Sequence, residues 1–413
     1  MGMKKIMLGF LILGTFVFAA WEQIGPYGGN VRSVVASYAN DNIVYATSYT
    51  SPTGVAKSTN GGTSWTTVGS IASQAYCLAI DPTNDNKLYA GCGHVMYRST
   101  NGGVAWTSTN LTNTYVYGII VNPSVPATVY ASGMSWSGTK WTTAFFKTTN
   151  SGVNWSTVVV DTNNGQANCV AVDRVNPNTV YVGGYWYDAV AGTYNPLVYK
   201  STNGGTSWTN VTGIIPSGAY YIYSLAVHPT NPNIVYAGTY LSGIYRTTDG
   251  GATWAQTSTN YYNYSMATSP AAPDVAYAGG YNEVYKTTNA GATWVSASTG
   301  MAGYSIYGLA TSAVNGSLVY AGDNNGMFKT TSGGATWTSI NSTLNLGSIC
   351  SFATAPSNPA VMYTSFEAIG VFKTTNYGNN WNLLPTPVGC GNICDFAVNN
   401  TNPNILYALE GGG

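Results

Sequence analysis

Residues 57–65 read KSTNGGTSW, and the same pattern returns seven more times along the chain. The other copies are RSTNGGVAW (98–106), KTTNSGVNW (147–155), KSTNGGTSW (200–208), RTTDGGATW (246–254), KTTNAGATW (286–294), KTTSGGATW (329–337) and KTTNYGNNW (373–381). Their tryptophans follow one another at intervals of 40 to 53 residues. A period of this length is typical of propellers and other repeat architectures.

Each unit contains four short apolar runs, which we name strands A to D. Strands A and B precede the motif, as in Tyr76–Ile80 and Lys87–Gly91, and the turn between them is rich in Asn, Pro and Asp. A hydrophobic-Tyr pair marks strand B nine times, at Tyr45, Tyr89, Tyr130, Tyr181, Tyr236, Tyr277, Tyr320, Tyr363 and Tyr407. Arranging such four-stranded units around an axis protects the edge strands of each sheet from pairing with other chains. The prediction is an all-β fold, a β-propeller of four-stranded antiparallel blades in one ring of about eight to nine blades.

The motif resembles the Asp-box, or BNR repeat, whose pattern is Ser-x-Asp-x-Gly-x-x-Trp. Proteins with this repeat include sialidases, sortilin-type receptors, xyloglucanase-type glycosidases and photosystem II assembly factor propellers. The resemblance covers residues from about 30 to 410. It implies a β-propeller, but it does not select an activity, because the repeat occurs in proteins of unrelated function.

The boxes themselves are interpreted as structural. The family's Asp position holds a side chain with an acceptor oxygen in every copy, which can bind backbone N–H groups of the turn between strands C and D. These residues are Asn60, Asn101, Asn150, Asn203, Asp249, Asn289, Ser332 and Asn376. A glycine follows two positions later and a tryptophan three positions after that, as expected for a tight turn that anchors a buried ring.

Charge excludes several functions. The chain has 14 Lys and Arg against 14 Asp and Glu, and eight of the cations occupy one column at the end of strand C. Nucleic acid is not expected as a partner, because phosphate binding needs clustered basic residues. Among the arginines, only Arg32 and Arg174 lie outside the column, so the three clustered arginines of a sialidase cannot be supplied.

The N-terminus predicts export. Lys4 and Lys5 precede an apolar run that ends at Ala19 and Ala20, so residues 1–20 are interpreted as a signal peptide and residues 21–413 as the propeller. No later segment has the length of a transmembrane helix. The mature protein is expected to be secreted, periplasmic or at the cell surface. The chain stops after the ninth A–B pair, which leaves open a shared closing blade or a C-terminally incomplete sequence.

Cysteine and histidine usage does not predict a metal site or a cofactor. Cys77 and Cys169 occupy a strand-A column that requires a small residue. A disulfide between Cys77 and Cys92 is one alternative. Another is Cys394 with Cys390, which competes with a pair formed with Cys350 in the same column one blade earlier. The two histidines, His94 and His228, lie far apart in the repeat, and no CxxC pattern is present.

Two sets of aromatic residues are candidate ligand-binding residues. The first lies in long loops between strands B and C of the third and fourth units and contains Trp136, Trp141, Tyr185, Trp186, Tyr187 and Tyr194. The second begins strand A, near the axial channel, and contains Tyr76, Tyr117, Tyr223, Tyr264 and Tyr307. Exposed rings beside small polar residues stack on sugars or grip a peptide. The predicted function is therefore recognition of a neutral polysaccharide or an extracellular protein, without chemistry.

The alternative is an endo-acting glycoside hydrolase resembling xyloglucanases. Such an enzyme needs two carboxylates that face each other across a cleft. Asp188 in the aromatic insertion could face Asp323 or Glu367, although no spacing selects a pair. The TDxGG sequence expected of that family reads STNGG here, so its carboxylate is missing at Thr59.

Overall fold

The computed structural model describes residues 31–48, 53–216, 218, 220–301, 305–323, 326–340, 349–354, 358, 360–366, 370–376, 381–384, 392–398, 402–404 and 406–411. Within these residues the regular structure consists of β-strands, with no α-helix. The interpretation of residues 1–20 as a signal peptide lies outside the described part of the chain. No helix of the described residues is long and apolar enough to span a membrane.

Seven successive blades are built from antiparallel strands in the order A, B, C, D. Blades 1 and 2 contain β1 (Val31–Ala36), β2 (Val44–Ser48), β3 (Thr53–Ser58), β4 (Thr66–Ile71), β5 (Ala75–Asp81), β6 (Asn84–Cys92), β7 (Met96–Ser99) and β8 (Thr107–Ser108). Blades 3 and 4 contain β9 (Thr114–Val121), β10 (Val129–Trp136), β11 (Trp141–Thr148), β12 (Ser156–Val172), β13 (Val180–Asp188), β14 (Thr193–Ser201) and β15 (Thr209–Asn210). They are hydrogen-bonded into one seven-stranded sheet, because the long β12 is strand D of blade 3 and then strand A of blade 4.

Blades 5 to 7 repeat the same order. They contain β16 (Ile222–Val227), β17 (Val235–Thr239), β18 (Ile244–Thr247), β19 (Ala255–Ser258), β20 (Ser265–Thr268), β21 (Ala276–Gly279), β22 (Val284–Thr287), β23 (Val295–Ser296), β24 (Gly308–Thr311), β25 (Val319–Asp323), β26 (Gly326–Thr330) and β27 (Thr338–Ser339). An eighth sheet follows, with β28 (Ile349–Thr354), β29 (Met362–Phe366), β30 (Gly370–Thr374) and β31 (Asn382–Leu383), and then the pair β32 (Asn392–Val398) and β33 (Leu406–Gly411). The predicted four-stranded antiparallel blades are confirmed.

A repeated clamp joins neighbouring blades. The strand-B tyrosines are buried, and most of their hydroxyls donate to a backbone carbonyl of the following blade, as from Tyr130 to Pro177 O at 3.2 Å and from Tyr181 to Gly250 O at 3.1 Å. The hydroxyls of Tyr89, Tyr236 and Tyr277 make no such bond. The strand-C lysine lies over the same ring and donates to the neighbouring box, as from Lys200 Nζ to Gly250 O at 2.9 Å. Satisfying these buried polar groups therefore requires the next blade to be in place.

The clamp of blade 7 closes on blade 1. The Tyr320 hydroxyl donates to Asp41 O at 2.9 Å, and Lys329 Nζ donates to Gly61 O at 3.0 Å. The eighth sheet instead clamps forward, with the Tyr363 hydroxyl donating to Pro403 O at 2.7 Å. Among the described residues these contacts close a ring of seven blades, whereas the sequence indicated eight to nine. Blade 1 has four strands of its own, so no shared blade is needed for closure.

The hydrogen bonds of the boxes show that the residue at the Asp position acts as an acceptor, as expected. In blade 1 the Ser58 hydroxyl donates to Asn60 Oδ1 at 3.0 Å and accepts the Gly62 N–H at 2.8 Å, while Asn60 Oδ1 accepts the Ser64 N–H at 2.8 Å. Asp249 makes the same contacts in blade 5, and hydrogen bonds from Thr253 and Thr247 lower the pKa of its carboxyl. An amide and a carboxylate are thus interchangeable in this turn.

This geometry makes one stability prediction within blade 2. Gly103 has a φ of +85°, where side chains are strained, and an added Cβ would lie 3.1 Å from Val68 Cγ2. Gly103→Val should therefore lower the free energy of unfolding by more than about 1 kcal/mol. The control Asn101→Asp should be nearly silent, because Asn101 acts through Oδ1, which accepts the Ala105 N–H. Equal losses for both variants in urea unfolding would contradict this account.

Candidate functional site

An axial channel of about 830 Å³ runs through the ring and is lined by strand A of all seven blades. The second residue of the strand-A repeat faces its mouth on the side where strands B and C are connected, which we call the upper face. These seven residues, the collar, are Arg32, Tyr76, Tyr117, Asn168, Tyr223, Tyr264 and Tyr307. Five phenol rings therefore surround the mouth. They are interrupted by a guanidinium in blade 1 and an amide in blade 4.

The next position along strand A explains why the collar tyrosines face the channel. It holds small residues that allow adjacent strands to approach closely: a Cβ at Gly118 would lie 3.0 Å from Val170 N, and one at Gly308 would lie 3.0 Å from Val34 N. Blade packing is therefore done by the small column. The larger tyrosine rings are left for the channel mouth.

The cysteines of this region are free thiols. Cys77, Cys92 and Cys169 form no disulfide in the structure. A bulge in β5 sets Cys92 opposite Ala75 and Cys77 opposite Gly91, which corrects the expectation that the two cysteines are cross-strand partners. Burial raises the pKa of the Cys77 thiol to about 12, so the thiol is neutral and unreactive at physiological pH. The alternatives involving Cys350, Cys390 and Cys394 rest on residues or side chains outside the described part.

A continuous group of tyrosines covers the upper face of blades 4 to 7. Its centre is Tyr221, whose ring centroid lies 4.6 Å from that of Tyr185, 5.2 Å from Tyr194 and 5.7 Å from the collar residue Tyr223. The chain of contacts continues from Tyr240 to Tyr262 at 4.8 Å. Within the collar it continues from Tyr223 to Tyr264 at 5.4 Å and from Tyr264 to Tyr307 at 5.1 Å. The structure therefore merges part of the two predicted sets into one surface.

A second aromatic group lies over blades 2 and 3. The Tyr115 ring is 5.2 Å from Trp141 and nearly parallel to the collar residue Tyr117 at 6.2 Å. Trp136 packs on Trp141 at 5.4 Å and remains 45% exposed. The Tyr115 hydroxyl is 2.9 Å from His94 Nε2. The predicted loop tryptophans are thus connected to the channel mouth through Tyr115.

Trp186 and Tyr187 occupy adjacent positions of β13. Tyr187 packs on Tyr194 at 4.9 Å, on the side that faces Tyr221. Alternation along the strand directs Trp186 to the opposite side of the β13–β14 hairpin. Of the six predicted loop aromatics, Tyr185, Tyr187 and Tyr194 join the tyrosine group, Trp136 and Trp141 join the second group, and Trp186 lies apart from its neighbours on the strand.

The sequence interpretation did not single out Tyr115, Tyr221, Tyr240, Tyr262 and Tyr281. Tyr221 and Tyr262 lie between strand D of one blade and strand A of the next, in the pairs Tyr220–Tyr221 and Tyr261–Tyr262. These adjacent tyrosines were the feature of the sequence that could have identified the site, because the repeat does not explain tyrosine pairs in a connecting segment. Their spatial convergence with Tyr185 becomes visible only in the folded ring.

Several upper-face residues adopt left-handed backbone conformations. Bulky side chains occur at positive φ in His94 (70°), Tyr220 (58°) and Tyr262 (61°). Such a conformation costs about 1–2 kcal/mol per non-glycine residue. Strain of this kind concentrates at functional sites, where the surrounding structure enforces it. The upper face thus holds its aromatic side chains at a cost in stability.

Burial keeps the tyrosine hydroxyls protonated. Burial and the neighbouring Tyr221 and Tyr194 hydroxyls raise the pKa of Tyr185 to about 12. Burial and Tyr307 likewise raise the pKa of Tyr264 to about 12. At neutral pH the surface therefore presents uncharged rings with hydroxyl groups that can donate and accept hydrogen bonds.

The carboxylates near this surface are engaged in local structure. Asp188 Oδ1 accepts the N–H groups of Val190 and Ala191, which caps the turn of the β13–β14 hairpin. Asp161 accepts the Tyr199 hydroxyl at 2.8 Å, and Asp323 is fully buried. Glu367 lies outside the described residues. Asp188 and Asp323 therefore do not form a pair of exposed acids, and the alternative pair with Glu367 rests on a residue outside the described part.

The described part of the chain contains no group of three His, Cys, Asp or Glu residues that could hold a metal ion. His94 lies on the upper face. His228 is buried in a turn between strands A and B, which we call the lower face, where its Nδ1 accepts the Asn231 N–H. The two histidines are therefore not brought together.

The lower end of the channel is crossed by one contact. The Arg174 guanidinium of blade 4 lies 5.3 Å from the Tyr38 ring of blade 1 and donates to the Tyr38 hydroxyl at 3.3 Å. Both residues line the channel.

Solved structures similar to this chain are β-propellers. The GH74 xyloglucanase from Xanthomonas campestris has a TM-score of 0.67 at 14% identity, over 92% of this chain and 71% of its own. An ancestral GH74 enzyme has a TM-score of 0.54 at 17% identity, over 96% of this chain and 76% of its own. YCF48 bound to a D1 peptide has a TM-score of 0.52 at 12% identity, over 74% of this chain and 92% of its own.

These similarities confirm the β-propeller and, at such identities, establish the fold alone. No protein-family model and no curated protein sequence matches the chain.

Proposed function

We propose that this β-propeller is an exported binding protein whose upper face holds a neutral polysaccharide chain. The observation that carries the proposal is the continuous tyrosine surface from Tyr187 to Tyr307, which borders the channel mouth. Its members come from four consecutive blades, so the surface exists only when these blades are packed together. The contacts between these rings extend from blade to blade, which the packing of each hairpin on its own blade does not require.

Sugar recognition fits the chemistry of this surface. Aromatic faces stack on the C–H faces of pyranose rings, and phenol hydroxyls exchange hydrogen bonds with sugar hydroxyls. The rings are already packed on one another, so ordering them on binding costs little side-chain entropy. The local carboxylates are occupied by backbone and tyrosine groups, as in Asp188 and Asp161, which leaves a surface of low charge.

The similar structures support two further expectations. Two of them are GH74 enzymes, one of which is named a xyloglucanase, and this makes xyloglucan the first polysaccharide to test. The same similarity favours a glycoside hydrolase as the second candidate, with Asp188, Asp323 and Glu367 as its candidate acids. YCF48 is described with a bound peptide, so a protein ligand of the upper face is a further outcome of the same assay.

Affinity electrophoresis tests the binding proposal. Soluble xyloglucan in a native gel should slow the protein relative to a gel without polysaccharide, because stacking on the tyrosine surface holds it to the chain. Incubation with xyloglucan should release no reducing ends. Unchanged mobility with xyloglucan and other neutral glucans would refute the polysaccharide proposal.

Release of reducing ends would favour the hydrolase instead. That interpretation requires the release to disappear in Asp188→Asn or Asp323→Asn while the protein remains folded. Slowed mobility without release supports binding.

A further inference from the structure

Blade 4 differs from its two neighbours at the channel mouth. Its collar residue is Asn168, whereas blades 3 and 5 have Tyr117 and Tyr223. Gln166 lies two residues before Asn168 on the same strand, β12, and both amides line the channel. The second aromatic group ends on blade 3 and the tyrosine group begins on blade 4. The two amides therefore lie at the boundary between these aromatic groups.

The geometry of β12 brings both side chains to the mouth. Asn168 has no partner on β13, because a bulge interrupts the register between Ala167 and Cys169. Bulges often redirect a side chain beside a functional site. Gln166 pairs with Tyr185, and directly opposite residues of antiparallel strands lie on the same face of a sheet. Gln166 is thus adjacent to Tyr185, a member of the tyrosine group.

A chain of hydrogen bonds fixes the orientation of the two amides. Asn168 Nδ2 donates to Ile222 O of blade 5 at 3.0 Å, and Asn168 Oδ1 accepts from Gln166 Nε2. Because a backbone carbonyl can only accept, the Asn168 nitrogen must face Ile222 and the Asn168 oxygen must face the Gln166 nitrogen. The chain therefore ends at Gln166 with its oxygen, Oε1, as the acceptor.

The Gln166 amide has hydrogen-bonding capacity beyond its contact with Asn168. An amide oxygen accepts up to two hydrogen bonds, and the amide nitrogen carries a second N–H. Gln166 is also partly exposed. An acceptor and a donor on one planar group match two adjacent hydroxyls of a pyranose ring. The neighbouring rings of Tyr185 and Tyr221, 4.6 Å apart, supply aromatic surface for the same sugar.

We propose that the Gln166 amide binds two adjacent hydroxyl groups of a neutral sugar at the channel mouth, and that Asn168 is a positioning residue that orients Gln166. The proposal rests on the proposed function, because the tyrosine surface holds the polysaccharide that presents this sugar. Aromatic rings tolerate many sugars, whereas a site that hydrogen-bonds a hydroxyl rejects an analogue without it. Gln166 therefore determines specificity on a surface whose rings supply most of the affinity.

Two ligands separate hydrogen bonding from stacking. Cellohexaose has free hydroxyls at adjacent positions of its glucose rings, and cellohexaose methylated at O2 and O3 has no hydroxyl donor there. Isothermal titration calorimetry on the full chain should show at least about 10-fold weaker binding of the methylated ligand, because hydrogen bonds to Gln166 are lost. Equal affinity for both ligands would overturn the proposal and leave polysaccharide binding intact.

Gln166→Met removes the amide and nearly preserves the length and volume of the side chain. Binding of cellohexaose should weaken by about 10-fold, whereas the methylated ligand should bind this variant as it binds the wild type. The ratio of the two affinities therefore falls towards unity. A ratio that persists in Gln166→Met would contradict the proposal, because the methyl groups would then act by steric exclusion elsewhere.

Asn168→Leu tests the positioning role. It removes both hydrogen bonds of the Asn168 side chain at similar volume, so Gln166 is no longer held in one orientation, and the affinity ratio should fall by about 3- to 10-fold. Adding Asn168→Leu to Gln166→Met should weaken cellohexaose binding no further, because Asn168 acts through Gln166. A lower melting temperature with an unchanged ratio would show a purely structural role and overturn this part of the proposal.

Gln256→Met is the matched control. Gln256 is an exposed glutamine of β19 whose amide nitrogen donates to Ser242 O at 2.7 Å, and it does not line the channel. This variant should bind both ligands like the wild type. If it loses cellohexaose binding as Gln166→Met does, the effect does not belong to the channel mouth and the proposal fails.

The outcome is separate from that of the proposed function. Retardation by xyloglucan depends on the tyrosine surface and tests polysaccharide binding by itself. Retardation without binding of cellohexaose overturns the Gln166 proposal alone. Absence of both retardation and cellohexaose binding overturns the two proposals together.

Discussion

Replacing Trp65 by alanine is expected to lower the free energy of unfolding by about 3–5 kcal/mol, the usual cost of truncating a buried large aromatic residue. Trp65 is 4% exposed and packs in a core shared by blades 1 and 7, together with Tyr320 and Met327. Its indole N–H donates to Ile340 O at 2.8 Å, across the closure of the ring. The substitution leaves a cavity at the one junction that joins the two ends of the seven-bladed ring.

Urea unfolding followed by near-ultraviolet circular dichroism measures this loss. Trp381→Ala is the matched control, because Trp381 occupies the same box position in the eighth sheet, outside the ring. It should change the main transition by no more than about 0.5 kcal/mol, as for substitutions remote from the unfolding core. Equal destabilisation by the two variants would show that the eighth sheet belongs to the ring.

Removing four rings from the upper face should abolish retardation by xyloglucan. The variant combines Trp136→Ala, Trp141→Ala, Tyr187→Ala and Tyr194→Ala, all located on the long B–C hairpins of blades 3 and 4. A hot-spot aromatic contributes about 2 kcal/mol or more, so the loss of even two such residues weakens binding by about 1000-fold. Thermal unfolding should show that the ring itself is intact, since the hairpin tips lie beyond the blade cores.

Substitutions on the lower face provide the control. Val125, Val175 and Val314 are exposed by 52%, 62% and 67% on turns between strands A and B. Their replacement by serine removes exposed apolar surface of comparable accessibility but should leave the retardation unchanged. If the lower-face variant loses binding while the four-ring variant keeps it, the ligand surface has been placed on the wrong face.

The repeat unit was predictable because its determinants are local. The Ser58, Asn60 and Gly62 contacts are made within five residues, so the spacing of these residue types already specifies the turn. The strand-B tyrosines and strand-C cations also appeared as regular columns. Their role as clamps could not be recognised, because the partners lie 40 or more residues away, as from Tyr45 to Asp85 O and from Tyr181 to Gly250 O.

The candidate site was only partly predictable. Trp136, Tyr185 and Tyr194 could be identified from the sequence because they lie in insertions relative to the repeat. The collar tyrosines could be identified because they form a column at the start of strand A. Tyr221 and Tyr262 were missed because they lie in connections that have no column in the alignment. Asp188 had no visible partner in the sequence, whereas the structure engages it with the backbone of its own turn.

From the sequence alone it was already decided that this chain forms four-stranded antiparallel blades, since the boxes, the A–B turns and the strand periodicity are interactions between near neighbours. Blade number was decided only by the tertiary structure. The clamp residues recur with the same spacing along the chain, so Tyr320 and Lys329 could have joined the eighth sheet as well as the first. The accumulated rotation between packed blades brings Asp41 and Gly61 to them after seven, and it gathers onto one face the tyrosines that the linear chain keeps apart.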